Sequence, residues 1–135
     1  MNISSPTPTE ESISALFRTL GQPARIQILL LLAREEACVC HLEAYLGLRQ
    51  AAISQHLMLL RDAGLVSASR EGRNIYYHLE RPDLLEFFHL AARLSGLDPA
   101  ALQPPCQPLA PCPCPHCNAA CDPNTSCSGV DEDCA

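Results

Sequence analysis

Two short segments with helical periodicity meet at Gly47, and this junction constrains the fold more than any other feature of the chain. Apolar residues recur at helical spacing on both sides of the glycine, at Val39, Leu42 and Leu46 and then at Ala52, Ile53, Leu57, Leu60 and Ala63. Two helices joined by a tight turn that contains glycine form a helix-turn-helix. The sequence therefore predicts this unit between residues 39 and 63.

The second of these helices carries polar side chains on its outer face, close to its start. They are Arg49, Gln50, Ser54, Gln55 and His56. Such side chains suit a DNA major groove, because arginine matches guanine edges, glutamine matches adenine, and serine reaches phosphate or base. The alternative is a face that is merely solvated, since polar helix faces have weak specificity as a motif.

A β-hairpin is predicted directly after the helix-turn-helix. Gly64 ends the helix, residues 66–70 alternate as a strand does, and residues 75–79 are β-branched or aromatic. A helix-turn-helix followed by a hairpin is a winged helix, so we predict a mainly α fold with a β-hairpin wing. Arg70 and Arg73 flank the hairpin tip and suit phosphate or minor-groove contacts, although charges there can also serve only solubility.

Three further helices surround this unit, and the outer two favour dimerisation. The first is capped by Thr9 or Ser12, and the last follows Pro82. The second follows Pro23 and is apolar nearly all round, which predicts that it is the central buried helix. The last helix has more apolar surface than so small a core can cover. Pairing with the first helix across a two-fold axis would bury that surface, and a palindromic operator requires the same symmetry.

Composition divides the chain into three parts. We expect a disordered segment at residues 1–9, a DNA-binding and dimerisation domain at residues 10–98, and a disordered Cys/Pro-rich tail at residues 99–135. The net charge of −6 argues against nucleic acid. However, residues 49–73 hold four arginines against two acidic residues, whereas the tail holds four acidic residues. Such a modest basic surface predicts DNA binding with strong salt dependence.

The cysteine content predicts metal or redox chemistry. Residues 1–9 do not resemble a signal peptide, and no stretch reaches the about 18 apolar residues of a membrane span. We therefore expect a cytoplasmic protein with no membrane partner. Thiols stay reduced in that compartment, so the nine cysteines indicate metal or redox sites before a disulfide framework.

Several motifs in the same order resemble the ArsR/SmtB family of repressors. The matching segments are Leu20-Gly21-Gln22-Pro23-Ala24-Arg25-Ile26, Cys38-Val39-Cys40-His41-Leu42, Ser54-Gln55-His56-Leu57 with Leu60, Ala63-Gly64-Leu65-Val66, and Arg70-Glu71-Gly72-Arg73 with Tyr76-Tyr77. The resemblance implies a homodimer that binds double-stranded operator DNA and releases it when a metal or metalloid binds. The sequence shows no nucleophile–base pair or cofactor loop, so we do not expect an enzyme.

Cys38 and Cys40 are the predicted inducer ligands. Two residues turn a regular helix by about 200°, so these thiols can converge on one ion only at a helix start or where the helix is unwound. Their position after Arg34-Glu35-Glu36-Ala37 is predicted to be such a helix start, where the helix dipole also favours the thiolate that binds metal. Soft thiolates select As(III) or Sb(III), the inducers we expect, or Cd(II), Pb(II), Cu(I) or Zn(II). The alternative is that the two cysteines are small buried apolar residues.

Further ligands remain open. In the arsenic-sensing members that the chain resembles, a third cysteine commonly falls at the position that Glu43 occupies here. His41 can supply nitrogen to Zn(II) or Cd(II), and the tail can supply ligands from Cys106, Cys112, Cys114, His116, Cys117 and Cys121. The tail either completes the site at Cys38 and Cys40, traps metal independently, or has no regulatory role.

The family also has a second metal site on its last helix, and we predict that this chain lacks it. The corresponding positions hold Arg81, Asp83, Leu94 and Leu97, of which only Asp83 is a ligand type. His89 and His78 are then ordinary helix and strand residues. Two other functions compete with the metal-responsive repressor: a repressor that responds to thiol oxidation or reactive sulfur, and a metal-sequestering protein that acts through its tail.

Overall fold

The computed structural model describes residues 5–104, and the described part is a winged helix. Its elements are α1 (Pro8–Leu20), α2 (Pro23–Arg34), β1 (Ala37–Cys38), α3 (Val39–Leu46), α4 (Gln50–Asp62), β2 (Val66–Glu71), β3 (Asn74–Leu79), α5 (Leu84–Leu94) and a 3-10 turn (Pro99–Ala101). The predicted fold class, mainly α with a hairpin wing, is confirmed. The tail from residue 105 lies outside the described residues.

Helix α1 begins earlier than the sequence analysis predicts. Thr7 is its N-cap: the Thr7 hydroxyl accepts a hydrogen bond from Glu10 N at 3.3 Å, and the Glu10 carboxylate accepts one from Thr7 N at 2.9 Å. This reciprocal capping box satisfies two backbone donors, and Pro8 in the first turn needs no donor of its own. The prediction of Thr9 or Ser12 as the cap is therefore wrong, and α1 begins inside the segment predicted to be disordered.

The hydrophobic core surrounds α2, as predicted for the most apolar helix. Five consecutive residues of α2, from Ile28 to Leu32, are buried. They pack in one cluster with Leu42 of α3, with Leu57 and Leu60 of α4, and with Phe88 of α5. Helix α2 thus supports both helices of the helix-turn-helix.

The turn between α3 and α4 depends on Gly47. Its φ of 65° lies in the left-handed region, and its N–H donates to Glu43 O at 2.9 Å. Residues with a Cβ atom are strained in this conformation, so glycine lets the chain reverse directly after α3. The prediction of a glycine turn between the two helices is confirmed.

The sheet contains one strand that the sequence analysis missed. Strands β2 and β3 form the predicted antiparallel hairpin, with Gly72 at φ 61° in the turn, but β1 also pairs with β3. The strand order is β1-β3-β2, and Cys38 lies opposite Tyr76. A strand of two residues is too short to show alternation. Its pairing attaches the cysteine segment directly to the wing.

Helix α5 has two apolar sides. Leu84, Phe88 and Ala92 are buried against the core, whereas Leu90 and Leu94 are exposed. After α5, the side chain of Leu102 packs against the same core. Contact with the core therefore continues beyond residue 98, where the sequence analysis places the end of the domain.

Candidate DNA-binding face and thiol site

The outer face of α4 presents the predicted polar side chains to solvent. Ile53, Leu57 and Leu60 are completely buried, and this fixes the rotation of the helix. Gln50, Ser54 and Gln55 are exposed on the remaining surface, and Arg49 is exposed immediately before the helix. The structure therefore leaves these four side chains accessible to a ligand as large as a DNA duplex.

His56 occupies a different position from the outer face that was predicted. It is half-buried on the flank of α4 that faces α2, where Arg25 Nε donates to His56 Nδ1 at 3.1 Å. Burial, followed by the charge of Arg25, lowers the pKa of His56 below its usual value. Because Arg25 engages this side chain, the structure does not group it with the exposed polar side chains of α4.

Met58 is a candidate contact that the sequence analysis missed. It lies one helical turn after Ser54, and 57% of it is exposed, although it is apolar. An apolar side chain on a recognition helix suits the methyl group of thymine. The spacing from Ser54 to Met58 is the signal that could have identified it, because residues four apart share a helix face.

The wing presents its two arginines at the tip. Arg70 lies opposite Ile75 near the end of β2, and Arg73 lies in the turn; both are exposed. Ile75 is also exposed, so the tip combines two positive charges with one apolar side chain. This composition is compatible with a phosphate or minor-groove contact.

Cys38 and Cys40 lie at the junction between the wing sheet and α3. Cys38 ends β1 and is the N-cap of α3, and its Sγ accepts a hydrogen bond from His41 N at 3.4 Å. Cys40 lies in the first turn of α3 and is half-buried. Cys38 packs with Tyr76, Cys40 packs against this pair, and neither cysteine forms a disulfide. The prediction that these cysteines lie at a helix start is confirmed.

His41 is held by contacts of its own. Only 9% of it is exposed, its ring stacks on Tyr45 with centroids 4.6 Å apart, and its Nε2 lies 3.2 Å from Glu35 Oε1. Burial is the largest cause that lowers the pKa of His41, and Glu35 opposes it. Across residues 5–104, no group of three or more His, Cys, Asp or Glu side chains is placed to hold a metal ion.

His78 links the cysteine segment to the wing. Its Nδ1 lies 3.0 Å from Glu36 Oε2, and its Nε2 lies 2.8 Å from Ser69 Oγ. Glu36 immediately precedes β1, while Ser69 and His78 lie on β2 and β3. His78 therefore connects β3 to β2 and to the residue just before β1, which its place in the sequence did not indicate.

Comparison with known proteins identifies the family. The family described as "Bacterial regulatory protein, arsR family" matches residues 22–68. The crystal structure of M. tuberculosis Rv0081 superposes with a TM-score of 0.61 at 35% identity, over 67% of this chain and 92% of that one. The chain belongs to the ArsR/SmtB family. The family and the structural relatives are transcription regulators rather than enzymes, in agreement with the prediction that this chain is not an enzyme.

Two named relatives match shorter parts of this ArsR/SmtB protein. The transcriptional repressor SmtB homolog of Synechocystis is 34% identical over 82 residues, which are 61% of this chain and 62% of the relative. The arsenic resistance transcriptional regulator ArsR1 of Pseudomonas putida is 45% identical over 65 residues, 47% of this chain and 51% of the relative. The chain thus spans about three fifths of the length of the Synechocystis relative and about half of the length of the Pseudomonas relative.

The residues at the positions of the second ArsR/SmtB metal site, on the last helix, have other contacts or are exposed in this chain. Arg81 Nη2 lies 2.8 Å from Asp83 Oδ2, and the hydrogen bond from Arg81 lowers the pKa of Asp83. Leu94 and Leu97 are exposed, and His89 is half-buried on α5. The absence of that site stays a prediction.

Two further predictions concern the tail and the membrane. The candidate tail ligands Cys106, Cys112, Cys114, His116, Cys117 and Cys121 lie outside the described residues. Between residues 5 and 104, no helix has the length and apolar character needed to cross a bilayer.

Proposed function

We propose that this protein is a homodimeric repressor that binds double-stranded operator DNA and releases it when a soft ion binds Cys38 and Cys40. As(III) is the first candidate, followed by Sb(III), Cd(II), Pb(II) and Zn(II). One observation carries the proposal: the two thiols lie where α3 of the helix-turn-helix meets the strand that pairs with the wing. An ion bound there acts on both DNA-binding elements.

DNA binding rests on two exposed surfaces of the described domain. Gln50, Ser54 and Gln55 on α4 supply hydrogen bonds for base edges. Arg70 and Arg73 supply positive charge at the wing tip for phosphates. Because so few positive charges are available, we expect affinity to depend on two half-sites bound together and to fall steeply with salt.

Dimerisation rests on apolar surface that one protomer leaves uncovered. Phe17 and Ile13 of α1 are exposed, as are Leu90 and Leu94 of α5. The Phe17 and Phe87 rings lie 6.0 Å apart, which places the α1 surface beside that of α5. A two-fold axis through this surface would cover it and present two α4 helices to a palindromic operator.

Release follows from the position of Cys38. Its sulfur accepts the His41 N–H, and its backbone pairs with Tyr76. Drawing Cys38 and Cys40 onto one ion must rearrange the first turn of α3, which supports α4, and pull on β1, which supports the wing. The ion then binds the DNA-free conformation more tightly, and this difference in affinity is what drives release.

The ligands that complete the coordination of the ion, beyond the two thiols, come from outside the described site. The described residues supply Cys38 and Cys40 without a third clustered ligand, whereas a trivalent ion such as As(III) is held by three sulfurs. A tail cysteine from either subunit, or a small thiol, completes the set. The name of the Pseudomonas relative, an arsenic resistance regulator, supports As(III) as the ion to test first.

A thiol-redox repressor is the second candidate. The observation that favours it is that Cys38 and Cys40 lie together beside Tyr76 without a disulfide, and no third ligand is clustered with them in the part of the chain that the structure describes. Two thiols suffice for a disulfide or a reaction with reactive sulfur. In this version the DNA-binding surfaces are unchanged, and an oxidant replaces the ion.

The deciding experiment measures operator binding by fluorescence anisotropy under reducing conditions. Arsenite, Cd(II) and Zn(II) are titrated separately into wild type, Cys38→Ser/Cys40→Ser, and a chain ending at Pro105. We expect arsenite to release the wild type and not the double variant. The shortened chain tests the tail, because retained release excludes both a tail ligand and a storage function.

The same experiment separates the two candidates. If no ion releases the wild type and a mild oxidant or a persulfide does, the ion-responsive function is wrong and the redox function replaces it. If the wild type binds no duplex selected from a random pool, the repressor function itself is wrong.

A further inference from the structure

One arginine joins three helices beside the candidate DNA-binding face. Arg25 lies on α2; its Nη1 donates to Thr19 O at 3.0 Å and its Nε donates to His56 Nδ1 at 3.1 Å. Thr19 lies in the last turn of α1, and His56 lies on α4. Both contacts are part-buried, and the guanidinium spans them with two separate donors.

Each contact uses a group that the helices leave available. The last four carbonyl groups of a helix have no partner within it, and a cation there also interacts favourably with the helix dipole. Thr19 O is such a carbonyl near the end of α1. Arginine can only donate, so His56 Nδ1 must be unprotonated, and a neutral ring then carries its proton on Nε2.

This geometry points to Arg25 as a positioning residue for DNA recognition. We infer that it fixes the angle of α4 against the α1–α2 scaffold, and through α1 the placement of the two α4 helices in the dimer. The inference rests on the proposed operator binding and adds a residue that does not itself contact DNA. Because a dimer reads two half-sites about one helical turn apart, a small rotation of α4 is repeated at both sites and costs affinity.

The test compares operator affinity and its salt dependence in matched variants. Arg25→Met keeps the aliphatic stem and removes both donors, and His56→Leu removes the acceptor. His56→Asn keeps an oxygen acceptor near the position of Nδ1. Arg81→Met is the control for removal of one positive charge, because Arg81 is exposed and pairs with its near neighbour Asp83. Arg73→Met is the control for removal of a side chain that contacts phosphate.

We expect Arg25→Met and His56→Leu each to weaken operator binding at least about tenfold, as for removal of a charge-assisted hydrogen bond. The slope of log Kd against log salt should remain that of the wild type in both variants. In Arg73→Met the slope should fall by about 0.9 for each phosphate that is no longer neutralised. His56→Asn should recover most of the affinity, and Arg81→Met should bind within about twofold of the wild type.

A double variant tests whether the two residues act as a unit. Arg25→Met/His56→Leu should bind no more weakly than the worse single variant, since either change alone already breaks the hydrogen bond between them. Additive effects on affinity would overturn the inference. So would affinity within about twofold of the wild type in both single variants, or a reduced salt slope in Arg25→Met, which would make Arg25 a residue that contacts phosphate.

Folding and DNA binding are checked separately. Circular dichroism and urea unfolding establish that each variant is folded, and if Arg25→Met is not, then His56→Leu against His56→Asn decides the question. If only the inference is wrong, the wild type still binds its operator duplex. If the proposed function is wrong, the wild type binds no duplex, and the inference is then wrong as well.

Discussion

The sulfur of Cys38 accepts a hydrogen bond from the backbone N–H of His41 at 3.4 Å, so the thiol caps the helix that supports the recognition helix. The same residue pairs with Tyr76 in the wing sheet. A chemical change at one sulfur therefore alters a helix cap and a strand contact together. This arrangement makes Cys38 a structural residue as well as a candidate ligand.

The cap predicts different stabilities for two substitutions of Cys38. Serine retains an acceptor for the His41 N–H, whereas alanine does not. We expect Cys38→Ala to lower the free energy of unfolding by about 1 kcal/mol relative to Cys38→Ser, the usual value of an N-cap. Urea unfolding followed by circular dichroism measures the difference. Equal stabilities would show that the sulfur does not act as a cap.

Because His41 is buried, we expect acid to destabilise the fold. Burial lowers its pKa in the folded state, so the unfolded state binds the proton first as the pH falls. Stability is fully retained above the ordinary histidine pKa of about 6.5 and declines below it. His41→Phe keeps a ring against Tyr45 and cannot titrate, so its stability should decline less between about pH 7 and about pH 5. Parallel stability curves for the two proteins would contradict this.

The exposed end of α5 predicts the effect of a charge on assembly. Leu94 is 81% exposed, and we expect Leu94→Glu to convert the proposed dimer into a folded monomer, because a carboxylate inside an apolar interface is costly. Sedimentation velocity measures the change. Met58→Glu introduces the same charge at another exposed apolar side chain, on α4, and should remain a dimer. If both variants dimerise like the wild type, this surface is not the interface.

Substitution of Glu36 is expected to change the response to the inducer without changing the affinity for operator DNA. Its carboxylate contacts His78 and thereby connects the residues before Cys38 to both wing strands. We expect Glu36→Gln to bind operator like the wild type and to reduce the release caused by the inducer about fivefold or more, the lower end of typical coupling between sites. Anisotropy with and without arsenite measures both quantities. Glu86→Gln, an exposed carboxylate on α5, is the control and should respond as the wild type does.

Much of the fold could be predicted because its signals are local. The apolar periodicity of α2 and α4, the glycine between α3 and α4, and the alternation of the hairpin strands each depend on neighbours within a few residues. The exposure of Gln55 follows from the same periodicity, since burial of Ile53 and Leu57 leaves it on the opposite side of α4. The start of α1 was missed because Thr7, Thr9 and Ser12 are all suitable caps, and only Thr7 completes a reciprocal pair with Glu10.

The sequence by itself determined the elements of this protein, and the tertiary structure decided how its candidate sites are joined. Arg25 meets His56 across 31 residues of chain, and Cys38 pairs with Tyr76, which lies beyond the helix-turn-helix. No local pattern carries these contacts, because each depends on packing that brings distant segments together around α2. The pairing of β1 and the contact of His56 with α2 could not be predicted, because both depend on how the helices pack around the core.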